Sequence, residues 1–98
     1  MKQRGFELVS TENDVALLPK RATRHAAGYD LKASKDTHIS PGSIVLVPTG
    51  VKAYMGTEEA LYLFDRSSNP RKRGIVLINS VGVIDSDYYN NSGNEGLI

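Results

Sequence analysis

Residues 65–89 read DRSSNPRKRGIVLINSVGVIDSDYY, and this stretch decides the reading of the chain. Arg66-Ser67-Ser68-Asn69-Pro70 is a turn rich in hydroxyls and backbone N–H groups. Gly74-Ile75-Val76-Leu77-Ile78 is an apolar run that reads as a buried strand, and it ends on the polar Asn79. Gly82-Val83-Ile84-Asp85-Ser86-Asp87-Tyr88-Tyr89 then places two carboxylates and two phenols on a tight reversal. Anion cradle, strand, amide, carboxylate and aromatic ring in one supersecondary unit suit a small phosphorylated ligand.

Outward from this unit, short strand candidates alternate with glycine and proline punctuation. Ala60-Leu61-Tyr62-Leu63-Phe64 and Val51-Lys52-Ala53-Tyr54 each read as a strand. Residues 43–47, SIVLV, form a strongly apolar strand stopped by Pro48-Thr49-Gly50. Pro41 and Gly42 fill the two central positions of a type II turn, with Thr37-His38-Ile39 a short strand before it. Phe6-Glu7-Leu8-Val9 is the first strand, and Pro19 biases Leu18 toward extended backbone. Residues 20–25 are basic and read as exposed, while Gly28 among small residues suggests close backbone approach. Residues 57–60, TEEA, are the one helix candidate and are too short to matter. This spacing of short strands predicts an all-β sandwich or barrel.

Composition narrows the function classes. Ninety-eight residues make a single domain, residues 1–98. There is no cysteine, so neither a disulfide nor a thiolate–metal site supplements a small core. The net charge of +1 gives no general pull toward nucleic acid or membrane. Met1-Lys2-Gln3-Arg4-Gly5 leads into polar sequence without a signal-peptide core. No stretch approaches the roughly 20 apolar residues of a membrane span. The expectation is a cytoplasmic protein with no direct nucleic-acid or membrane partner. Leu97-Ile98 reads as a strand just starting, which predicts a fragment or truncated product with an unpaired edge.

Each chemical element has a plain structural reading beside its functional one. Arg66-Ser67-Ser68 can hold phosphates through turn N–H groups and a guanidinium fork, and it also suits an ordinary serine-rich turn. Asp85-Ser86-Asp87 can supply a general base or metal ligands, and Asp and Ser also favour β-turns. Asp30 can bind a metal or be a solvated loop carboxylate. Tyr88 and Tyr89 can stack on a sugar or base, or pack in a strand. Asn79 can read a pyrimidine edge or cap a turn; a buried amide there needs partners. Arg71-Lys72-Arg73 reads as solvated surface, and His25 and His38 lack metal-site spacing.

Taken together, these residues resemble the trimeric deoxyuridine triphosphatases, the dUTP diphosphatases. Ala26-Ala27-Gly28-Tyr29-Asp30-Leu31 resembles the first motif of that family, Arg66-Ser67-Ser68 the second, and residues 79–88, NSVGVIDSDY, the third. The order is right, and the resemblance runs from about Leu18 onward. It implies a jelly-roll-like all-β subunit in a homotrimer with shared active sites. It also implies Mg²⁺-dependent hydrolysis of dUTP to dUMP and pyrophosphate, which limits uracil in DNA and supplies dUMP for thymidylate synthesis. By position, Asp85 would be the base that activates the attacking water. Tyr88 would lie under the deoxyribose and leave no room for a 2′-hydroxyl. Asn79 and the backbone of Val83 and Ile84 would read uracil, with Gly82 in the same substrate-binding stretch. Arg66, Ser67 and the N–H of Ser68 would hold phosphates, and Asp30 would hold hydrated Mg²⁺ through water. Asp65 stands where the family usually has Pro, and Asn90 where Gly is common. The family's fourth motif and glycine-rich fifth motif would lie beyond Ile98. The isolated chain is therefore expected to be unfolded, aggregated or held by partner chains, and to turn over dUTP poorly. A dCTP deaminase-type relative and a non-catalytic nucleotide- or protein-binding module are the alternative readings.

Overall fold

The computed structural model describes residues 3–98; Met1 and Lys2, the start of the polar N-terminal stretch, lie outside them. Two antiparallel ribbons carry the described fold. The first joins β1, Gly5–Leu8, to β2, Val51–Tyr54, in a register that pairs Gly5 with Tyr54 and Leu8 with Val51. The ladder continues one step further, as the Val9 N–H donates to the Gly50 carbonyl at 2.9 Å. On the opposite side of β2, the Ile98 N–H donates to the Val51 carbonyl at 3.0 Å. The Ile98 carbonyl accepts from the Thr49 N–H at 2.9 Å and from its Oγ1 at 2.7 Å. The Leu97-Ile98 segment thus lies beside β2, held by these bonds, without forming a laddered strand.

The core gathers around this ribbon. Val9, Leu17, Val51 and Ala53 are buried, and Val51 is fully enclosed. Leu17 arrives there on a 3₁₀ turn, Val15–Leu17, started by the Asp14 carboxylate accepting from the Ala16 N–H. Leu18 then turns extended (φ −63°, ψ 127°), the conformation that a following proline imposes.

The second ribbon joins β3, Ala60–Phe64, to β4, Val81–Asp85. Tyr62 lies opposite Val83, and Leu63 opposite Gly82. Side chains alternate across a pleat, so Tyr62, Phe64, Val81, Val83 and Asp85 share one face, and that face is exposed. Leu61, Leu63, Gly82 and Ile84 share the other and are more covered. Gly82 has no spare room: a Cβ there would lie 3.2 Å from Leu63 Cβ and Cδ1.

The all-β architecture with only short helical turns matches the sequence reading, as do β1, β2 and β3. The Pro41-Gly42 turn forms too: Gly42 has φ +77° and the Ser43 N–H reaches the Ser40 carbonyl. Several expectations are corrected. Residues 43–47 and 74–78 are not laddered strands, and Ile44, Leu46, Val76 and Ile78 are 63–93% exposed. Their apolar, β-branched composition favours strand, but pairing and burial require a partner surface. Residues 37–39 form no strand either. Gly28 is not closely approached, since nothing lies within 4 Å of an added Cβ. The tight reversal falls at Leu77–Ser80, where the Ser80 N–H bonds the Leu77 carbonyl and Ser80 has φ 68°. Residues 82–85 are straight strand instead, because they complete the ladder with β3.

Candidate active site

The phosphate-type turn is built by local rules. After Ser68 the chain makes a single wide turn, Asn69–Arg73, of π type. Pro70 fits at its start, where no N–H is required. Gly74 ends it in the left-handed region, with its N–H on the Asn69 carbonyl. Arg66 projects from the residues before this turn and is mostly exposed; its Nη1 lies 3.8 Å from Asp30 Oδ2. The first and second motifs therefore meet. Ser68 is engaged by Arg73, whose Nη1 donates to its Oγ at 3.2 Å. Ser67 is exposed, and Arg71, Lys72 and Arg73 lie on the solvent side of the turn.

Asn79 does not lie buried as an amide in a dry strand end; it is exposed in the reversal that feeds β4, and its carbonyl accepts the Val81 N–H at 2.8 Å. Gly82, Val83 and Ile84 follow on β4. β4 is hydrogen-bonded only to β3 in this ribbon, so half of its backbone groups face away from the ladder. Those outward N–H and C=O groups are in position to read the edge of a planar ligand.

Asp85 closes β4 opposite Ala60 and precedes the 3₁₀ turn Ser86–Tyr88. Its carboxylate is exposed and makes no capping bond to that turn. The Ser86 hydroxyl ties the turn back to the Thr57 carbonyl. Tyr88 is half-buried, donating from its hydroxyl to the Leu97 carbonyl at 3.0 Å and accepting there from Asn94 Nδ2 at 2.6 Å. Among the described residues no hydrogen bond or ion pair joins the Arg66–Asp30 pair to the Asp85–Tyr88 segment.

The comparisons with known proteins bear on this arrangement. The dUTPase family model matches residues 14–93. The chain belongs to the dUTPase family. It is 60% identical over 97 residues to the deoxyuridine 5'-triphosphate nucleotidohydrolase of Lactococcus lactis, covering 98% of this chain and 65% of that protein. It is 49% identical over 74 residues to the protein of the same name from Pseudomonas fluorescens, covering 72% of this chain and 49% of that one. A crystal structure of dUTPase from Streptococcus mutans superposes with a TM-score of 0.94 at 72% identity, covering 96% of this chain and 73% of that one. The chain thus spans about half to two thirds of the length of these curated relatives.

Both departures from the dUTPase pattern have a local explanation. Asp65, in place of the usual Pro, accepts the Leu77 N–H on its two carboxylate oxygens at 2.9 and 3.1 Å. It thereby fastens the base of the Arg66 turn to the segment leading to Asn79. Asn90, in place of a common Gly, has φ 58°, a left-handed geometry that Gly adopts freely and Asn tolerates.

No group of three or more His, Cys, Asp or Glu that could cage a metal occurs among the described residues. That donor set still fits Mg²⁺. This ion keeps several waters and is held by one or two carboxylates plus substrate phosphates, and Asp30 offers one carboxylate beside a phosphate-type turn. The residues that sequence reading passed over are Lys52, Asn91, Asn94 and Glu95. The available signal was Lys52 itself, a charged side chain inside a strand whose neighbours Val51 and Ala53 are buried.

Proposed function

We propose that the protein hydrolyses dUTP to dUMP and pyrophosphate. The observation that carries the reading is Asp85, an exposed carboxylate closing a strand whose outer backbone edge is open, in a chain of the dUTPase family. In this account uracil lies along β4, read by the backbone of Val83 and Ile84 beside Gly82 and Asn79. A site with fixed donors and acceptors rejects a base that leaves them unpaired. Tyr88 forms the floor under the deoxyribose. Arg66, Ser67 and the Ser68 N–H hold the phosphates. Asp85 accepts a proton from a water as that water's oxygen bonds to the α-phosphorus; the bond from that phosphorus to the bridging oxygen breaks and pyrophosphate leaves. Mg²⁺, held through water by Asp30, offsets phosphate charge when bound. With the substrate in place, Arg66 turns from Asp30 toward a phosphate.

The reading extends to assembly. Among the described residues no hydrogen bond or ion pair joins Arg66 and Asp30 to Asp85 and Tyr88, which supports a homotrimer with sites completed between subunits. The exposed apolar face of β3 and β4, with Tyr62 at 59%, Phe64 at 69% and Val83 at 57%, supports the same assembly. A cytoplasmic setting agrees with this role, and among the described residues no helix is long and apolar enough to cross a membrane. Removing dUTP would limit uracil in DNA and supply dUMP for thymidylate synthesis.

The test is turnover of dUTP, dCTP and dTTP by the intact protein with Mg²⁺. The expected result is dUMP and pyrophosphate from dUTP, with dCTP and dTTP spared. Deamination of dCTP would favour the deaminase relative, and binding of dUTP without turnover would favour a binding module.

A further inference from the structure

Tyr88 is held by the loop that follows it, and one buried cation ties that loop to β2. Asn91 Nδ2 donates to the Tyr88 carbonyl at 2.7 Å, and Asn94 Nδ2 donates to the Tyr88 hydroxyl at 2.6 Å. Asn91 Oδ1 in turn accepts from the N–H groups of Gly93 and Asn94, and Asn94 Oδ1 from that of Gly96. The loop closes on itself: the Asn90 N–H bonds the Glu95 carbonyl at 2.8 Å and the Glu95 N–H the Asn91 carbonyl at 3.0 Å. Gly96, at φ +97°, packs so closely that a Cβ would lie 2.9 Å from the Tyr88 carbonyl oxygen.

Two non-glycine residues of this loop have left-handed backbone, Asn90 (φ 58°) and Glu95 (φ 67°). Glutamate rarely adopts that geometry. These two residues are also the two ligands of Lys52. Its Nζ donates to Asn90 Oδ1 and to Glu95 Oε2, the latter at 2.7 Å, and also lies 5.1 Å from the Tyr89 ring centroid. Lys52 is 7% exposed. Glu95 is further fixed by Ser10, which donates to it from its N–H at 2.9 Å and from its Oγ at 2.7 Å. An ion pair with only one buried partner is weak ground for stability, because well-packed apolar side chains often do as well around such a lysine. What an apolar residue cannot do is hold these two left-handed backbone positions by their side chains.

We propose that Lys52, paired with Glu95, is the positioning residue that sets Tyr88 and through it the choice between deoxyribose and ribose. The proposal rests on the reading of Tyr88 as the sugar floor. Lys52 touches no substrate; it acts across β2 through the loop of residues 90–96. Losing the pair lets Asn90 and Glu95 relax, frees Asn91 and Asn94, and lets the Tyr88 ring move away from the place a 2′-hydroxyl would occupy.

The test compares kcat and KM for dUTP and UTP in the intact protein, with a thermal melt of each variant. Lys52→Met keeps the stem and removes the charge. It is expected to lower the dUTP-over-UTP ratio of kcat/KM by ~10–100-fold, the scale of a small misplacement transmitted to a reacting site, largely through a lowered KM for UTP. Lys52→Arg should recover part of that ratio. Leu17→Ala, a core trim that also lowers the melting temperature, should leave the ratio unchanged. Should Lys52→Met fail to fold, Glu95→Gln takes its place, with a smaller loss in the same direction. A folded Lys52→Met, or in its place Glu95→Gln, with the parental ratio overturns the proposal, and so does an equal loss in Leu17→Ala. Tyr88→Ala separates the two readings. If it leaves the ratio unchanged, the sugar-floor reading fails and this inference with it; if it lowers the ratio and Lys52→Met does not, only this inference fails.

Discussion

The two ribbons are built from similar short strands, yet they are covered differently. β2 buries Val51, Lys52 and Ala53 in succession, flanked by β1 on one side and Ile98 on the other. β3 and β4 leave Tyr62, Phe64 and Val83 in solvent, and nothing in the ribbon pairs the outer edge of β4. The first ribbon gives the chain its fixed frame. The second carries Gly82, Val83, Ile84 and Asp85, the residues assigned to base reading and proton transfer. Binding surfaces tend to come from the less stable parts of a fold, and this pair of ribbons divides the two tasks between them.

Matched substitutions test that division. Val51→Ala removes two methyl groups from a fully enclosed position and should cost about 2–3 kcal/mol, read from urea or thermal melts. Val83→Ala, on the face left open within the chain, should cost less, about 0.5 kcal/mol. Equal costs would erase the contrast. Gly82→Ala tests the one tight point of the second ribbon. Its Cβ would meet the root of Leu63 at 3.2 Å, so a loss of ~1 kcal/mol is expected from forced separation of β3 and β4. A stabilised variant would show that Leu63 has room to move.

A subtler contrast lies in pH. Hydrogen bonds from Lys52 and then Ser10 hold the Glu95 carboxyl below its usual range. A carboxyl lowered in the folded state adds stability above its unfolded value, and that stability is lost as pH falls through the folded one. Melts should therefore weaken from roughly pH 4–5 downward, and Glu95→Gln should flatten this acid limb. An unchanged limb would remove the ion pair from the account of the first ribbon. Glu59, lowered by the Gly56 N–H and by Arg4, should contribute in the same direction.

Much of this was legible in the sequence, for local reasons. Alternation located β1, β2 and β3, proline and glycine located the turn at Pro41 and Gly42, and the residue order from Asp30 through Arg66 to Asp85 pointed to the family. The apolar runs at residues 43–47 and 74–78 misled because composition reports what a segment favours, not which neighbour pairs with it. The reversal was half placed: Ser86–Tyr88 do form a turn, but Gly82–Asp85 are strand and Ser80 takes the left-handed position before them. The Lys52–Glu95 pair joins residues 43 apart in sequence, and no local pattern announces such a contact.

The central claim is that Asp85 carries the proton transfer of dUTP hydrolysis. Asp85→Asn in the intact protein keeps the shape of the side chain and removes its capacity to accept a proton. Turnover of dUTP with Mg²⁺ should fall by on the order of 10²–10⁴-fold, while binding of a non-hydrolysable dUTP analogue persists. Turnover at the parental rate in that variant would contradict the account.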